Sequence, residues 1–388
     1  MWEAQPIIFS GKPRLLGGAG SSRETGTLLT DLNVERVLFV TDAGVAEAGL
    51  HNPALESARD AGIHTELFQE VVESPTDLTV QACVEAARSF GADGLVAVGG
   101  GSSLDTAKAT NFLLTSGGRI QDYWGKNKAT QSMLPFLAIP TTTGTGSECQ
   151  SFAIIQDSET HQKMACGDDR AFASMAILDP ELCLSQPPGV RAATGIDALS
   201  HALESMVSRH ANPFSQSLSR EAFRLIAGSL REAMRFPADI DAHRRLQLGA
   251  ALAGMAIEAS MLGAAHAMAN SLTAKHGVIH GRAIAVVLPV VLRHNASQPE
   301  VARAYRELAT LARLCSTEAS DEEALGHLLE YIDELRKIGK LPRTLADVGA
   351  EKLGARELAS MASEQWTQGF NPVSISEPTF QGLFEAIE

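Results

Sequence analysis

Carboxylate and imidazole side chains cluster in the second half of the chain in a pattern that could hold a metal ion. Asp197 and His201 lie four residues apart, so on a helix they share one face, one turn from each other. His266 follows near the end of a long apolar run, and His276 and His280 come shortly after it. One carboxylate with two or three imidazoles, and no cysteine among them, suits divalent iron, zinc or manganese.

Spacing alone leaves part of this site open. An Asp–His pair four residues apart is also typical of an ordinary surface hydrogen bond. His266 and His280 lie in apolar, glycine- and alanine-rich surroundings, where an unpartnered imidazole would be costly, and this favours a metal. His276 and His280 are themselves four residues apart, with Gly277 between them weakening a helical pairing, so the spacing does not select the last ligand.

A glycine turn in the first half has the features of a phosphate loop. Residues 94–98 form a buried strand pattern that runs into three consecutive glycines, and a helix pattern follows over residues 104–114. Free amides at a helix N-terminus favour a pyrophosphate, and glycines let the backbone approach it closely. The turn is not the G-x-G-x-x-G of the usual dinucleotide fingerprint, so by itself it indicates a generic phosphate loop.

Two further loops follow predicted strands. The segment 140–148 carries three successive threonines and two glycines, which offer hydroxyls and amides to phosphate or ribose but are equally typical of a capped helix start. Cys149 beside it is expected to be a packing residue, because no local partner would activate it as a nucleophile. Asp42 ends the strand pattern 36–42, where parallel sheets bind ligands, although an aspartate there also suits a helix N-cap.

Taken together, these segments resemble the iron-dependent (group III) alcohol dehydrogenases along nearly the whole chain. The resemblance is carried, in the family's order, by residues 99–108, 140–148 and 178–182, by the Asp197/His201 helix, and by His266 with His280 and Gly281. It implies that the metal ligands are Asp197, His201, His266 and His280. It also implies Fe(II), although the same ligands suit Zn(II).

The resemblance further implies where a dinucleotide binds. In the family an aspartate at the position of Asp42 meets the adenine ribose and disfavours the 2′-phosphate of NADP, so NAD is the predicted cofactor. Lys163 falls where the family has a lysine near the nucleotide, but a solvated loop lysine would look the same. The implied cofactor contacts are Asp42, Gly99, Gly100, Gly101, Ser102, Asp105, Thr141, Thr142, Thr145, Ser147, Lys163 and Leu182.

The implied activity is metal-dependent hydride transfer between NAD and a small alcohol, diol or aldehyde. A metal ion acts as a Lewis acid that lowers the pKa of the alcohol, and hydride passes directly between the resulting alkoxide and the nicotinamide. His266 and His280 are the expected catalytic ligands. Many relatives carry a second histidine one turn after the third ligand, where this chain has Asn270, which cannot exchange a proton. His276 is a candidate replacement, and a histidine in a pocket wall or on the surface is the alternative.

Two other members of the same fold, and one other class of protein, are alternatives. A zinc-dependent polyol (glycerol-type) dehydrogenase would use the same ligands. A dehydroquinate-synthase-like lyase should have clustered lysine and arginine for a phosphorylated substrate, and no clear cluster adjoins the ligands. A non-catalytic NAD-binding or regulatory protein would have little need of a metal site and both nucleotide loops.

The predicted fold is an α/β N-terminal nucleotide-binding domain, Rossmann-like with a parallel sheet, followed by an all-α metal-binding domain. The domains are predicted at residues 1–186 and 187–388, because strand patterns stop near Pro187 and helical periodicity then dominates. A short strand with a glycine-rich turn is predicted over residues 6–20, and further strands over 36–42, 65–68, 94–98, 134–139 and 176–179. Helices are predicted over 53–61, 75–89, 104–114, 197–208, 215–233, 242–269, 298–315, 322–338 and 355–364, and residues 282–295 are predicted to be a buried helix or strand, with a helix favoured.

The composition of the chain indicates which binding partners and which cellular compartment to expect. A net charge of −14 over 388 residues disfavours nucleic acid and anionic membranes as partners. An odd number of cysteines, five, without a Cys-x-x-Cys motif indicates a reducing compartment, and no N-terminal secretion signal is apparent. The apolar run 248–269 contains Glu258 and His266, so it is predicted to be a buried helix rather than a membrane span. We therefore expect a soluble cytoplasmic enzyme, and by resemblance a homodimer.

Overall fold

The computed structural model describes residues 11–350 and 354–388. The chain divides into two compact units, one spanning Gly11–Ser185 and the other containing Gln186–Glu388. Each unit has apolar clusters of its own, so each is described by itself.

A six-stranded parallel sheet forms the centre of the first unit. The described strands are β1 (Arg14–Gly17), β2 (Arg36–Asp42), β3 (His64–Val71), β4 (Gly94–Gly99), β5 (Gly125–Lys126), β6 (Phe136–Pro140), β7 (Phe152–Gln156), β8 (Lys163–Gly167) and β9 (Met175–Leu178). The order in the large sheet is β1-β9-β6-β4-β2-β3, and every neighbouring pair is parallel. The predicted parallel α/β fold is thereby confirmed.

Apolar layers cover both faces of this sheet. Val37 and Phe39 of β2 belong to one buried cluster, whereas Leu38 and Val40 belong to another, because successive side chains of a strand point to opposite faces. Burial on both faces explains why these strands appear in the sequence as continuous apolar runs. The helices of this unit are α1 (Thr25–Asp31), α2 (Ala43–Glu47), α3 (Asn52–Asp60), α4 (Asp77–Phe90) and α5 (Gly101–Ser116).

A second, three-stranded sheet was not predicted. β7 and β8 form an antiparallel hairpin, and β5 pairs with β8. The signal is weak because these strands are short and β8 holds no β-branched residue. Of the strand predicted over residues 6–20, the described part forms β1 at the sheet edge, and residues 6–10 lie outside the described residues.

The second unit is built from helices, and its described residues contain no strand, which confirms the all-α prediction. Buried alanines such as Ala198, Ala202 and Ala265 line its core and allow close helix packing. Its helices are α6 (Pro188–Val207), α7 (Pro213–Ala227), α8 (Leu230–Arg235), α9 (Ile240–Ser260), α10 (Ala264–His276), α11 (His280–Asn295), α12 (Pro299–Leu311), α13 (Asp321–Ile338), α14 (Ala355–Ser363) and α15 (Glu377–Glu385).

Two predicted helices are wrong because each is divided in the structure. The helix predicted over 242–269 is α9 and α10, which meet at a bend of 102° after Met261 adopts φ +67°. The first amides of α10 are bonded by side chains distant in sequence, so the bend depends on tertiary contacts that periodicity does not report. Similarly, the helix predicted over 215–233 is α7 and α8, separated at Gly228 and Ser229.

The long apolar run of the second unit is divided between α9 and α10. Among the described residues no single helix is both long and apolar enough to cross a membrane. Only α9 and α10 taken as a bent pair satisfy the length and composition of a span.

Candidate metal and nucleotide sites

α6 presents the first two predicted metal ligands. Pro188 at its first position and the helix-forming residues after it carry α6 through Asp197 and His201, one turn apart. Both side chains are buried, at 4% and 5% exposure of the residue. The Nε2 of His201 lies 3.4 Å from Oδ1 of Asp197.

α10 and α11 bring two further imidazoles to the same carboxylate oxygen. The Nε2 atoms of His266 and His280 each lie 3.6 Å from Oδ1 of Asp197. The Nε2 of His201 lies 3.1 Å from that of His266. His201, His266 and His280 therefore all adjoin the same oxygen of Asp197, and the assignment of His280 as the last ligand stays a prediction.

These atoms fit a metal ion. Two ligands bound tetrahedrally at about 2.1 Å lie about 3.4 Å apart, close to the separations observed. Asp197, His201 and His266 offer ligand atoms that are all within 4.8 Å of one another. Oδ1 of Asp197 is buried and makes no hydrogen bond within the described residues, which would be costly without a cation.

The electrostatics of the cluster agree with this fit. Burial alone would raise the pKa of Asp197, but the imidazoles of His201, His280 and His266 hold it well below its ordinary value. Burial would lower the pKa of His266, yet the carboxylates of Glu204 and Asp197 raise it to about 9. The cluster thus stabilises positive charge at the point where the ligand atoms converge.

Glu204 is a residue that the sequence analysis missed. It is 4% exposed, and its Oε2 lies 2.5 Å from Nδ1 of His266, on the ring edge opposite the Nε2 that faces Asp197. A signal was present in the sequence, since positions 197, 201 and 204 share one face of a helix.

Close helix packing also depends on a glycine. A Cβ atom at Gly281 would lie 2.2 Å from the backbone oxygen of Ala193. Gly281 directly follows His280, so the contact between α11 and α6 fixes one ligand relative to Asp197 and His201 on α6.

The structure does not bring His276 into the cluster. It is the last residue of α10, and its buried Nε2 makes no hydrogen bond within the described part of the chain. Burial and the neighbouring Lys275 lower its pKa. Its role as a proton relay in place of Asn270 stays a prediction.

In the first unit the glycine turn and the threonine loop lie against each other. A Cβ atom at Gly101 would lie 2.8 Å from Cγ2 of Thr145, and one at Gly100 would lie 3.4 Å from Cγ2 of Thr142. At Gly99 it would lie 2.4 Å from Oγ of Ser103, so the turn has no room for side chains there. Ser102 and both threonines are partly exposed, so this surface remains accessible to a ligand.

A buried lysine, also missed, holds these loops. Lys108 is 1% exposed, and its Nζ donates to the backbone oxygen of Phe152 and to both oxygens of Ser147 at 2.6–2.7 Å. Asp105 lies 3.3 Å from Nζ, accepts from Oγ of Ser147 at 2.5 Å, and accepts from the amide of Ile154 at 3.1 Å. Asp105 and Ser147, predicted cofactor contacts, thus face an internal network.

The remaining predicted nucleotide contacts are more dispersed. Asp42 is the last residue of β2 and the N-cap of α2, with Oδ1 accepting from the amide of Val45 at 3.0 Å. Its Oδ2 would lie 3.5 Å from a Cβ atom at Gly99, so the carboxylate adjoins the glycine turn. Leu182 and Thr141 are buried, and Lys163 begins β8 in the small sheet.

Comparison with known proteins identifies the family. The family model described as iron-containing alcohol dehydrogenase matches residues 12–180, and that of the Fe-containing alcohol dehydrogenase family, C-terminal, matches residues 191–387. Together they span both units. The chain belongs to the iron-containing alcohol dehydrogenases, as its motifs indicated, and is therefore a metal-dependent oxidoreductase that transfers hydride between an alcohol or aldehyde and a nicotinamide nucleotide.

Individual relatives are similar over nearly their whole length. The NAD-dependent methanol dehydrogenase of Bacillus methanolicus is 34% identical over 362 residues, 93% of this chain and 94% of the relative. The choline dehydrogenase of Bacillus subtilis is 33% identical over 372 residues, 95% of this chain and 92% of the relative. A solved 1,3-propanediol oxidoreductase has a TM-score of 0.94 at 30% identity, covering 99% of this chain and 100% of that chain.

Proposed function

We propose that this enzyme uses NAD and Fe(II) to interconvert a small primary alcohol or diol with its aldehyde. The observation that carries the proposal is the convergence of three imidazole nitrogens within 3.4–3.6 Å of one buried aspartate oxygen. We assign Asp197, His201, His266 and His280 as the metal ligands. The names of the relatives, which concern methanol, choline and 1,3-propanediol, support a small substrate.

The metal would act as a Lewis acid on the substrate oxygen. The side chains of this unit hold it and leave one side accessible: 30% of the His280 side chain is exposed, against 6% for Asp197. Substrate would therefore approach past His280. Asp197 supplies the negative charge that retains a divalent cation, and Glu204 keeps the Nδ1 proton of His266 in a hydrogen bond.

The nucleotide is proposed to lie on the glycine turn. Gly99, Gly100, Gly101 and Ser102 would bring backbone amides to the pyrophosphate, with the hydroxyls of Thr142 and Thr145 beside them. Asp105 and Ser147 would act with Lys108 by fixing the shape of the loops, since their polar atoms are already bonded. Thr141, Lys163 and Leu182 remain candidate contacts.

The preference for NAD over NADP is proposed to reside in Asp42. A carboxylate at the end of β2 would accept from the adenine ribose hydroxyls and repel a 2′-phosphate. Asp42→Asn keeps the N-cap of α2 but removes the charge. It should therefore raise the ratio of NADPH to NADH activity without unfolding α2.

We further propose a cytoplasmic homodimer. The free cysteines, four of them buried, agree with a reducing compartment, and the dimer rests on the family resemblance. The mass of the purified protein in solution tests the oligomeric state, and fractionation of cells tests the location.

The central experiment measures NADH and NADPH oxidation against short aldehydes after metal removal and anaerobic reloading with Fe(II) or Zn(II). We expect Fe(II) to restore turnover, NADH to be preferred, and His266→Ala to abolish the response. His327→Ala is the matched control, because this half-exposed histidine of the same unit pairs with Glu330 outside the cluster. Restoration by Zn(II) alone would replace iron with zinc, and no turnover with either metal would overturn the proposal.

A further inference from the structure

Both carboxylate oxygens of Glu204 are hydrogen-bonded to residues in the first turn of α10. Oε1 accepts from the amide of Ala265 at 2.8 Å, and Oε2 lies 2.5 Å from Nδ1 of His266. At 4% exposure, a carboxylate in such a place is stable only because both of its oxygens are bonded. Glu204 is therefore bound to a ligand and to the helix that carries it, rather than to the ion.

Asn371 bonds the preceding amide of the same helix. Its Oδ1 accepts from the amide of Ala264 at 3.1 Å and from Nδ2 of Asn295 at 3.0 Å. Its own Nδ2 donates to Oδ1 of Asn295 at 2.7 Å and to the backbone oxygen of Val373 at 2.8 Å. Every polar atom of this buried amide is engaged, so its orientation is fixed.

Gly263 shows how tightly these two acceptors enclose the helix start. A Cβ atom there would lie 2.8 Å from Oδ1 of Asn371 and 3.0 Å from Oε1 of Glu204. The N-cap residue of α10 is Gly263, which has no side chain to accept from the first amides. The side chains of Glu204 and Asn371 act as acceptors in its place. The negative charge of Glu204 also suits the positive end of the helix dipole.

We propose that Glu204 and Asn371 form a clamp on the first turn of α10 that positions His266 for metal binding. This inference rests on the proposed metal site. Both residues fix where α10 begins after the 102° bend, and Glu204 additionally keeps a proton on Nδ1 of His266. The lone pair of the imidazole then lies on Nε2, toward Asp197 and His201.

The substitution Glu204→Gln separates these roles. Its amide oxygen can still accept from the Ala265 amide, which leaves the NH₂ group facing Nδ1 of His266. Two donors cannot face each other, so Nδ1 must accept and the proton moves to Nε2, where it blocks the metal. The variant should therefore keep the helix start and lose the correct tautomer.

The test is metal affinity, measured on the full chain by competition between Zn(II) and a chromophoric chelator. We expect Glu204→Gln to bind Zn(II) about 10- to 100-fold more weakly than the wild type, with the Tm of the metal-free protein nearly unchanged. The visible spectrum of the Co(II)-loaded variant should also differ, because it reports ligand geometry. Asn371→Ala, which removes the acceptor for the Ala264 amide together with the bonds to Asn295 and Val373, should lower both affinity and metal-free Tm.

Glu307→Gln serves as the control, because this partly exposed glutamate of α12 pairs with Arg220 away from the cluster. Affinity of Glu204→Gln within about twofold of this control, with an unaltered Co(II) spectrum, would overturn the clamp. Glu204→Asp, which keeps the charge with a shorter reach, should recover part of the affinity. If neither Glu204→Gln nor Glu204→Asp folds, Glu204 is needed for the fold itself, and the proposed role is contradicted. Failure of the wild type to bind metal would instead overturn the proposed function.

Discussion

At the scale of single residues, Glu148 is a buried acid of the first unit whose environment differs from that of Asp197. Glu148 follows Ser147 and is 2% exposed. Burial raises its pKa to about 7, although its own amide and the charge of Lys108 act in the opposite direction. The carboxyl group is therefore largely protonated in the folded state at mildly acidic pH.

This property predicts how stability changes with pH. The pKa of Glu148 is higher in the folded state than its ordinary value of 4.5, so the stabilising contribution of its proton is complete below pH 4.5 and is lost as pH rises through 7. Glutamine does not titrate. We expect the difference in unfolding free energy, Glu148→Gln minus wild type, to increase by about 3 kcal/mol at most between pH 4.5 and pH 8.

Urea unfolding of both proteins across this pH range measures the difference. Glu56→Gln, an exposed substitution on α3 of the same unit, is the control, and its difference should change far less because water solvates that carboxylate. A difference for Glu148→Gln that stays constant with pH would show that the carboxylate is ionised and solvated in the folded protein.

Residue spacing predicted part of the metal site. It did not predict the buried charged residues that hold the two proposed sites in place. The four-residue interval of Asp197 and His201 placed both on one helical face, but the choice between His276 and His280 came from the family resemblance. Glu204 shares a helical face with Asp197 and His201, but neither this spacing nor the position of Lys108 identifies the groups that these buried charges contact. Those partners, His266 and Ser147, are distant in sequence.

At the scale of helices, the contact between α6 and α11 sets the geometry of the metal site. Gly281→Ala would place a Cβ atom 2.2 Å from a backbone oxygen of α6, which cannot move without shifting the helix. We expect His280 to move away from Asp197, Zn(II) affinity to fall at least about tenfold, and stability to fall by about 1–3 kcal/mol.

The matched control is Gly326→Ala on α13, where no heavy atom lies within 4 Å of the added Cβ. That substitution should leave metal affinity unchanged and stabilise its helix by up to about 1 kcal/mol. Chelator competition and thermal unfolding measure both effects. Equal Zn(II) affinity in the two variants would show that the contact at Gly281 does not position His280.

The glycine turn allows an equivalent test in the α/β unit. Gly101→Ala would bring a Cβ atom within 2.8 Å of Cγ2 of Thr145, forcing the turn and the threonine loop apart. NADH affinity, followed by fluorescence titration, should fall about tenfold or more while metal content stays constant. Adding Thr145→Ser removes Cγ2 but keeps the hydroxyl, so the double variant should recover part of the affinity. Unchanged NADH binding by Gly101→Ala would place the nucleotide elsewhere.

The sequence predicted helices and strands where one periodicity persists. The runs 36–42 and 94–98 appear as β2 and β4, because strands buried on both faces are continuously apolar. The prediction of one helix over 242–269 was wrong, because the apolar composition continues through Met261 while the backbone turns by 102°. Glu204 and Asn371 stabilise that turn from elsewhere in the chain, and no local pattern encodes their contacts.

At the scale of the whole molecule, the two units have separate cores, and we propose a different ligand site in each. The proposed metal ligands come from three helices of one unit, α6, α10 and α11. A bound ion would therefore cross-link the helical unit, whereas the nucleotide would act on the α/β unit.

Metal removal is accordingly expected to destabilise one unit selectively. An ion that binds only the folded state at about 1,000 times its Kd stabilises by about 4 kcal/mol, so stripping should lower the Tm of the helical unit by roughly 8–16 °C. Calorimetry of stripped and Zn(II)-reloaded protein measures this shift, and NADH should still raise the other transition in the stripped form. His266→Ala should show no metal-dependent shift. If its Tm rises with Zn(II) as much as that of the wild type, the ion binds somewhere other than the Asp197 cluster.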